Sequence, residues 1–157
     1  MAGRKDEDAP VGASREAKAN GAAGGDLDAL AQSAGAAAHA SGRRAPPPVH
    51  LWDPPFCGDL DIRIRRDGSW TYLGSPIRRE ALVRLFGGIL RREEDGRHYL
   101  VTPVEKIGIE VEDAAFIGVD VEAAGDGAAQ RVEILTNHDD RVTLGPDHAL
   151  RHRRARR

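Results

Sequence analysis

The sequence predicts an α+β fold built mostly on antiparallel β-sheet with one main helix, and three observations predict it. Three stretches read as β-hairpins with turns at corresponding places. These are Leu60–Ile64 through Asp67-Gly68 to Trp70–Tyr72, Leu90–Glu93 through Asp95-Gly96 to Tyr99–Val101, and Val132–Ile134 through Asp139-Asp140 to Val142–Leu144. Asp-Gly between alternating apolar residues is a strong hairpin signal, because both central turn positions need positive φ. Two further stretches alternate with period two, Ile107/Ile109/Val111 and Ile117/Val119/Val121. One stretch alone, Leu82/Leu85/Phe86/Ile89, recurs at helical spacing ahead of the hairpin that follows.

In chain order, residues 1–46 are Ala/Gly-rich, with Val11, Leu27 and Leu30 as the large aliphatics, and are expected to be disordered because they bury too little to offset chain entropy. A marginal helix from Asp26 to Ala40 has Asp26 as its N-cap but no amphipathic face to recruit it to a core. A Pro-rich approach follows, where Trp52 and Phe56 are expected to anchor the chain. The first hairpin then turns Leu60, Ile62 and Ile64 to one face. Ser75 reads as the N-cap of the main helix, Pro76 as its first residue and Gly87-Gly88 as its stop. The two alternating strands should each have one buried and one wet face, as antiparallel sheets do. The recurring hairpin suggests duplication. The resulting division is an N-terminal α+β lobe at 47–103 (hairpin, helix, hairpin), a C-terminal β lobe at 104–150 and a basic tail at 151–157.

Composition narrows the functional classes. Residues 46–150 hold 12 Lys/Arg against 19 Asp/Glu, whereas the last seven residues hold five arginines. An acidic body disfavours nucleic acid across the folded surface, since phosphate binding is driven by cations that displace counterions. The tail leaves weak, salt-sensitive nucleic-acid binding as an alternative, against a terminus that folds back on the acidic body. No run approaches the roughly 20 apolar residues of a membrane span, and a signal-peptide pattern is lacking, so the expected location is the cytoplasm, without a membrane partner. Cys57 is the single cysteine and reads as a small half-buried apolar residue. His138-Asp139-Asp140 with His148 has metal-ligand chemistry, but Asn137 to Asp140 fall where a tight turn must form, and the turn is the better reading. Glu93-Glu94-Asp95 reads as a solvated hairpin tip. Neither catalytic nor metal residues are assigned, and no cofactor is identified.

Several separated motifs carry a resemblance. Pro54-Pro55-Phe56-Cys57-Gly58-Asp59, Asp67-Gly68-Ser69-Trp70, Gly74-Ser75-Pro76-Ile77, Leu100 to Lys106, Val111-Glu112-Asp113 and Thr136 to Asp140 resemble the bacterial domain-of-unknown-function family 1285 over nearly all of residues 47–151. The resemblance implies two related lobes, the second loosely like a pleckstrin-homology barrel. It also implies a small-ligand site between them, for a nucleotide-like molecule, and a signalling role. It carries over no catalytic residue.

The candidate ligand-binding residues are Arg78, Arg79, Lys106, Thr102, Asn137 and Trp70. Arg78 and Arg79 would stand in the first turn of the main helix, where cations oppose the dipole unless an anion is bound. Lys106 lies on the wet face of its strand beside Glu105, where an edge-protecting role competes with ligand contact. Trp70 and Tyr72 share a hairpin face, with core packing as the default and stacking on a base as the sharper role. Convergence of the cations with Thr102 or Asn137 would make a non-enzymatic module for a small anionic ligand. The alternative is a protein-interaction module without a small ligand, using an exposed strand edge or apolar patch.

Overall fold

The computed structural model describes residues 23–42 and 46–151. The three hairpins form as their turn residues require. β1 (Phe56–Ile64) turns through Gly68, at φ 84°, into β2 (Trp70–Tyr72), β4 (Leu90–Arg92) turns through Gly96 into β5 (His98–Val101), and β8 (Arg131–Thr136) turns through Asp139, at φ 65°, into β9 (Arg141–Thr143). With β3 (Ser75–Pro76) and β6 (Lys106–Val111), the first two hairpins make one six-stranded sheet in the order β3-β2-β1-β6-β5-β4. β7 (Gly118–Ala124), β8 and β9 make a second, three-stranded sheet. The fold is α+β and mostly antiparallel; the exception is β1 against β6, which run parallel at the centre of the larger sheet.

That central pairing moves the lobe boundary. The sequence division places β6 in a second lobe beginning at residue 104, but β6 hydrogen-bonds between β1 and β5, so the first unit runs to Val111 and the division falls between Val111 and Gly118. The physical reason is burial: Ile107 and Ile109 complete the core face of the first sheet, each 7% exposed.

Two helices, rather than one main helix, cover that face. α2 (Glu80–Gly88) buries Leu82 and Phe86, and its stop at Gly87-Gly88 is as expected. Its start is not. Leu73 and Gly74 have positive φ and reverse the chain, so Ser75-Pro76 pairs with Thr71-Tyr72 as β3, and the helix begins only at Glu80 with Arg79 as its N-cap. α1 (Ala23–Ala40) corrects both the expectation of disorder in this part of residues 1–46 and that of a helix without a docking face. Leu30 and Ala34 pack in the same cluster as Leu82 and Phe86, and Leu27 and Ala31 border it. Residues 1–22 and the tail beyond Arg151 lie outside the described residues.

Phe86, Ile62, Ile64, Ile89 and Leu100 are fully buried at the centre of the core, beside Trp70 at 2% exposure. Trp52 packs against this cluster as expected, whereas Phe56 is half exposed and sets its ring edge-on to Tyr99. Cys57 is exposed rather than half-buried, its thiol directed at the Pro55 carbonyl. No described helix is long and apolar enough to cross a membrane.

Candidate ligand cleft at the junction of the sheets

The β8–β9 turn is where the smaller sheet meets the larger unit. The Asn137 backbone N–H donates to the Ile117 carbonyl (2.8 Å), and the Ile117 N–H donates to Asn137 Oδ1 (3.0 Å), so the turn and the approach to β7 hold each other. Thr136 Oγ1 accepts from the N–H groups of His138 and Asp140, both at 3.2 Å, which stiffens the turn further. Gly68 gives this assembly room: a Cβ there would stand 2.9 Å from Ile117 Cδ1 and 3.0 Å from Asn137 Nδ2.

Beside this contact lies a cleft of about 330 Å³. Gly68 and Ser69 of the first hairpin turn, Ile77, Glu80 and Arg84 line it from the larger unit, and Asn137 lines it from the smaller. Trp70 closes its inner wall, ring stacked on Phe86 with centroids 6.3 Å apart. Asn137 Oδ1 is occupied by Ile117, while its Nδ2 has no hydrogen-bond partner among the described residues. Arg84 makes an ion pair with Asp139 (2.8 Å) in which both side chains are more than half exposed, so it is a weak, exchangeable contact. Glu80 and Arg84 stand at i and i+4 on α2, a spacing that puts both on one helix face.

Two of the six sequence-predicted residues therefore meet here, Trp70 and Asn137. Trp70 takes its default role in core packing, its ring buried between Phe86 and His138, and the alternative of stacking on a base is left without a free ring face. The other four lie elsewhere. Arg79 lines a shallow groove between α1 and α2 with Asp28 and Gln32, and Arg78 lines neither this groove nor the cleft. Lys106 donates to both carboxylate oxygens of Glu93 at 3.2 Å and lies 5.1 Å from the Tyr99 ring centre. Glu93 also pairs with Arg91, and these donors hold its carboxyl below the usual glutamate range, Arg91 most strongly. It is thus a paired group rather than part of a solvated tip. Thr102 is fully buried, its Oγ1 accepting from the N–H groups of Val104 (3.3 Å) and Glu105 (3.2 Å). The cations do not converge because the shorter helix leaves Arg78 and Arg79 outside its first turn, and because Lys106 faces away from the helices.

The cleft-lining residues that sequence reasoning did not propose as ligand contacts include Ser69, Glu80 and Arg84. The i, i+4 spacing of Glu80 and Arg84 could have paired them. His138, weighed in the sequence as a metal ligand and read as a turn residue, is 8% exposed, and nothing local marks it for burial. A second groove, of about 430 Å³, lies across β1, β6 and β5, where the Asp59–Arg97 ion pair (2.6 Å) spans Gly108. Among the described residues no group of His, Cys, Asp and Glu has the arrangement of a metal site.

The larger unit without α1 corresponds to a known sequence family. Residues 47–114 match the model of "Domain of unknown function (DUF1285), N-terminal domain", from just before the Val49–Leu51 turn to just after β6. The chain belongs to the DUF1285 family. It is similar to the crystal structure of a DUF1285 family protein from Silicibacter pomeroyi DSS-3, with 53% identity, a TM-score of 0.66 and coverage of 75% of this chain and 62% of that one. A DUF1285 family protein from Shewanella baltica OS155 is 33% identical, with a TM-score of 0.45, over 52% of this chain and 61% of that one. The chain thus spans less than two thirds of the length of either relative. No curated protein matches it.

Proposed function

We propose that the protein is a non-enzymatic module that binds a small anionic ligand, nucleotide-like in size, in the cleft at the junction of the two sheets and reports occupancy through their arrangement, in a signalling or regulatory role. The observation that carries this reading is the lining of the cleft: Arg84 and Ser69 come from one unit, Asn137 from the other. A carboxylate or phosphate there would take Arg84 from its exposed pair with Asp139 and accept from Asn137 Nδ2. Glu80 opposes a high negative charge, which favours a singly charged group over a polyphosphate. Because Arg84 and Asn137 come from different units, a ligand held by both would bridge the sheets and favour one arrangement of them. This is a shift between arrangements, with no covalent step.

A thermal-shift series on the full chain against nucleotides, sugar phosphates and small carboxylates tests it. A ligand at one hundred times its dissociation constant adds about 2.7 kcal/mol. A stabilising compound whose effect is lost in Arg84→Ala and Asn137→Ala supports the cleft, and one lost only in Arg79→Ala moves the site to the α1–α2 groove. If no compound shifts the midpoint, the ligand reading fails.

A second reading, a protein-interaction module, is favoured by one observation. All seven residues of β7 are exposed, with Val119 at 59% and Val121 at 61%, on an edge strand. Concentration-dependent association of the full chain, abolished by Val121→Lys, would support it.

A further inference from the structure

The deepest contact between the two units is made by one side chain of the smaller. His138 leaves the β8–β9 turn and enters the core of the larger unit. Its ring lies edge-on to Trp70 (centroids 5.9 Å apart) and to Phe116 (5.1 Å). The backbone of α2 makes room for it: a Cβ on Gly87 would run into His138 Nδ1. Both ring nitrogens are buried, and neither has a hydrogen-bond partner among the described residues; the same holds for the neighbouring Trp70 Nε1. A neutral imidazole tolerates such a site at moderate cost, whereas a buried imidazolium without an acceptor does not.

We infer that the His138 turn is a pH-sensitive latch between the two sheets: the neutral imidazole seats the turn in the core of the larger unit, and protonation expels it. The charged groups around the ring set its direction. From its own turn Asp139 and Asp140 favour the cation, and from α2 Arg84 opposes it; Trp70, Phe116 and Gly87 contribute no charge. Burial outweighs them and holds the imidazole below the ordinary histidine value. Once the turn is released, the two aspartates remain beside the imidazolium in water, so the open form retains the groups that favour the proton. The turn moves as a unit, because Thr136 Oγ1 ties His138 to Asp140 and Asn137 is tied to Ile117. The Arg84–Asp139 pair is exposed and adds little to oppose release.

The Trp70 indole N–H is the natural reporter, since it is buried against the latch, and the Trp52 indole serves as an internal reference. In the full chain, solvent exchange of the Trp70 indole proton, corrected for intrinsic rates, should rise at least tenfold relative to Trp52 between pH 7.5 and pH 5.5. The rise should be absent in His138→Phe and in His138→Gln, which cannot titrate. The His138 ring resonances of the unaltered chain should titrate with a midpoint below 6.5. Exchange that is independent of pH, an equal rise in either variant, or a midpoint at or above 6.5 overturns the latch. Should neither variant fold, the midpoint in the unaltered chain decides.

Discussion

The two sheets of this protein use the same hairpin and reach opposite ends of the scale of burial. In the larger, alternating residues of β1, β5 and β6 face α1 and α2, so that Ile62, Ile64 and Leu100 are fully buried. In the smaller, β7 alternates as cleanly in sequence, yet Val119 and Val121 are more than half exposed. The expectation of one buried face for this strand is thereby corrected: a period-two pattern states which residues share a face, but burial needs a second layer, and all seven residues of β7 are exposed. The contrast teaches that stability is concentrated in residues 23–111, while the smaller sheet depends on its own pairing and on one turn.

Substitutions can break or sharpen that contrast. The largest effect belongs to Phe86→Ala, which empties the site between α2 and Trp70 and should cost about 3–5 kcal/mol in urea unfolding. A cost under about 1 kcal/mol would mean that the core is not organised around this ring. Next comes Leu30→Ala on α1, expected to remove about 2–4 kcal/mol because the side chain is 2% exposed in the common cluster. An unchanged urea midpoint would show that α1 is not docked in solution. Gly87→Ala introduces a methyl where His138 Nδ1 lies, and overpacking of this kind should destabilise by about 1–3 kcal/mol. Its specific signature is a shift of the His138 ring resonances, and a mutant with unperturbed His138 signals refutes the contact.

Acid should weaken the junction before it weakens the core. Burial lowers the folded-state value of His138, so the folded form binds fewer protons than the unfolded chain, whose histidine titrates near 6.5. The contribution is fully present above pH 6.5 and is lost as the pH falls below it. His98 is shifted the same way, by burial first and Arg92 second. Chemical denaturation at pH 7.5 and 5.5 should therefore show a loss that is reduced, though not abolished, in His138→Phe; an undiminished loss assigns the whole effect to His98. The smallest effect is expected for Val121→Thr, within about 0.5 kcal/mol in the same assay, since the side chain is already in water. A cost above 2 kcal/mol would reveal a layer over β7 and favour the protein-interaction reading.

The three hairpins, the stop of α2 at Gly87-Gly88 and the core roles of Ile62, Ile64, Leu82 and Phe86 were legible in the sequence, because Asp-Gly turns and apolar periodicity act between residues close in the chain. The parallel pairing of β1 with β6 was not, since it joins segments separated by a hairpin, a helix and a second hairpin. The docking of α1 was hidden by its small side chains: Ala34 and Ala37 are buried, yet alanine on a helix face carries little amphipathic signal. Of the cleft, Asn137 and Trp70 were legible as chemistry, and their place beside each other was not. Arg78, Arg79 and Lys106 have the charge for an anion site but do not converge: Arg79 lines the α1–α2 groove and Lys106 pairs with Glu93. His138 reads in sequence as one polar residue in a polar turn and becomes, in three dimensions, a buried ring set against Trp70 of the larger unit. Sequence alone determined where the chain turns and which residues share a face, because those are local. Which faces are covered, which charges pair and which histidine loses water depended on segments far apart in the chain meeting, and only the tertiary structure decided them.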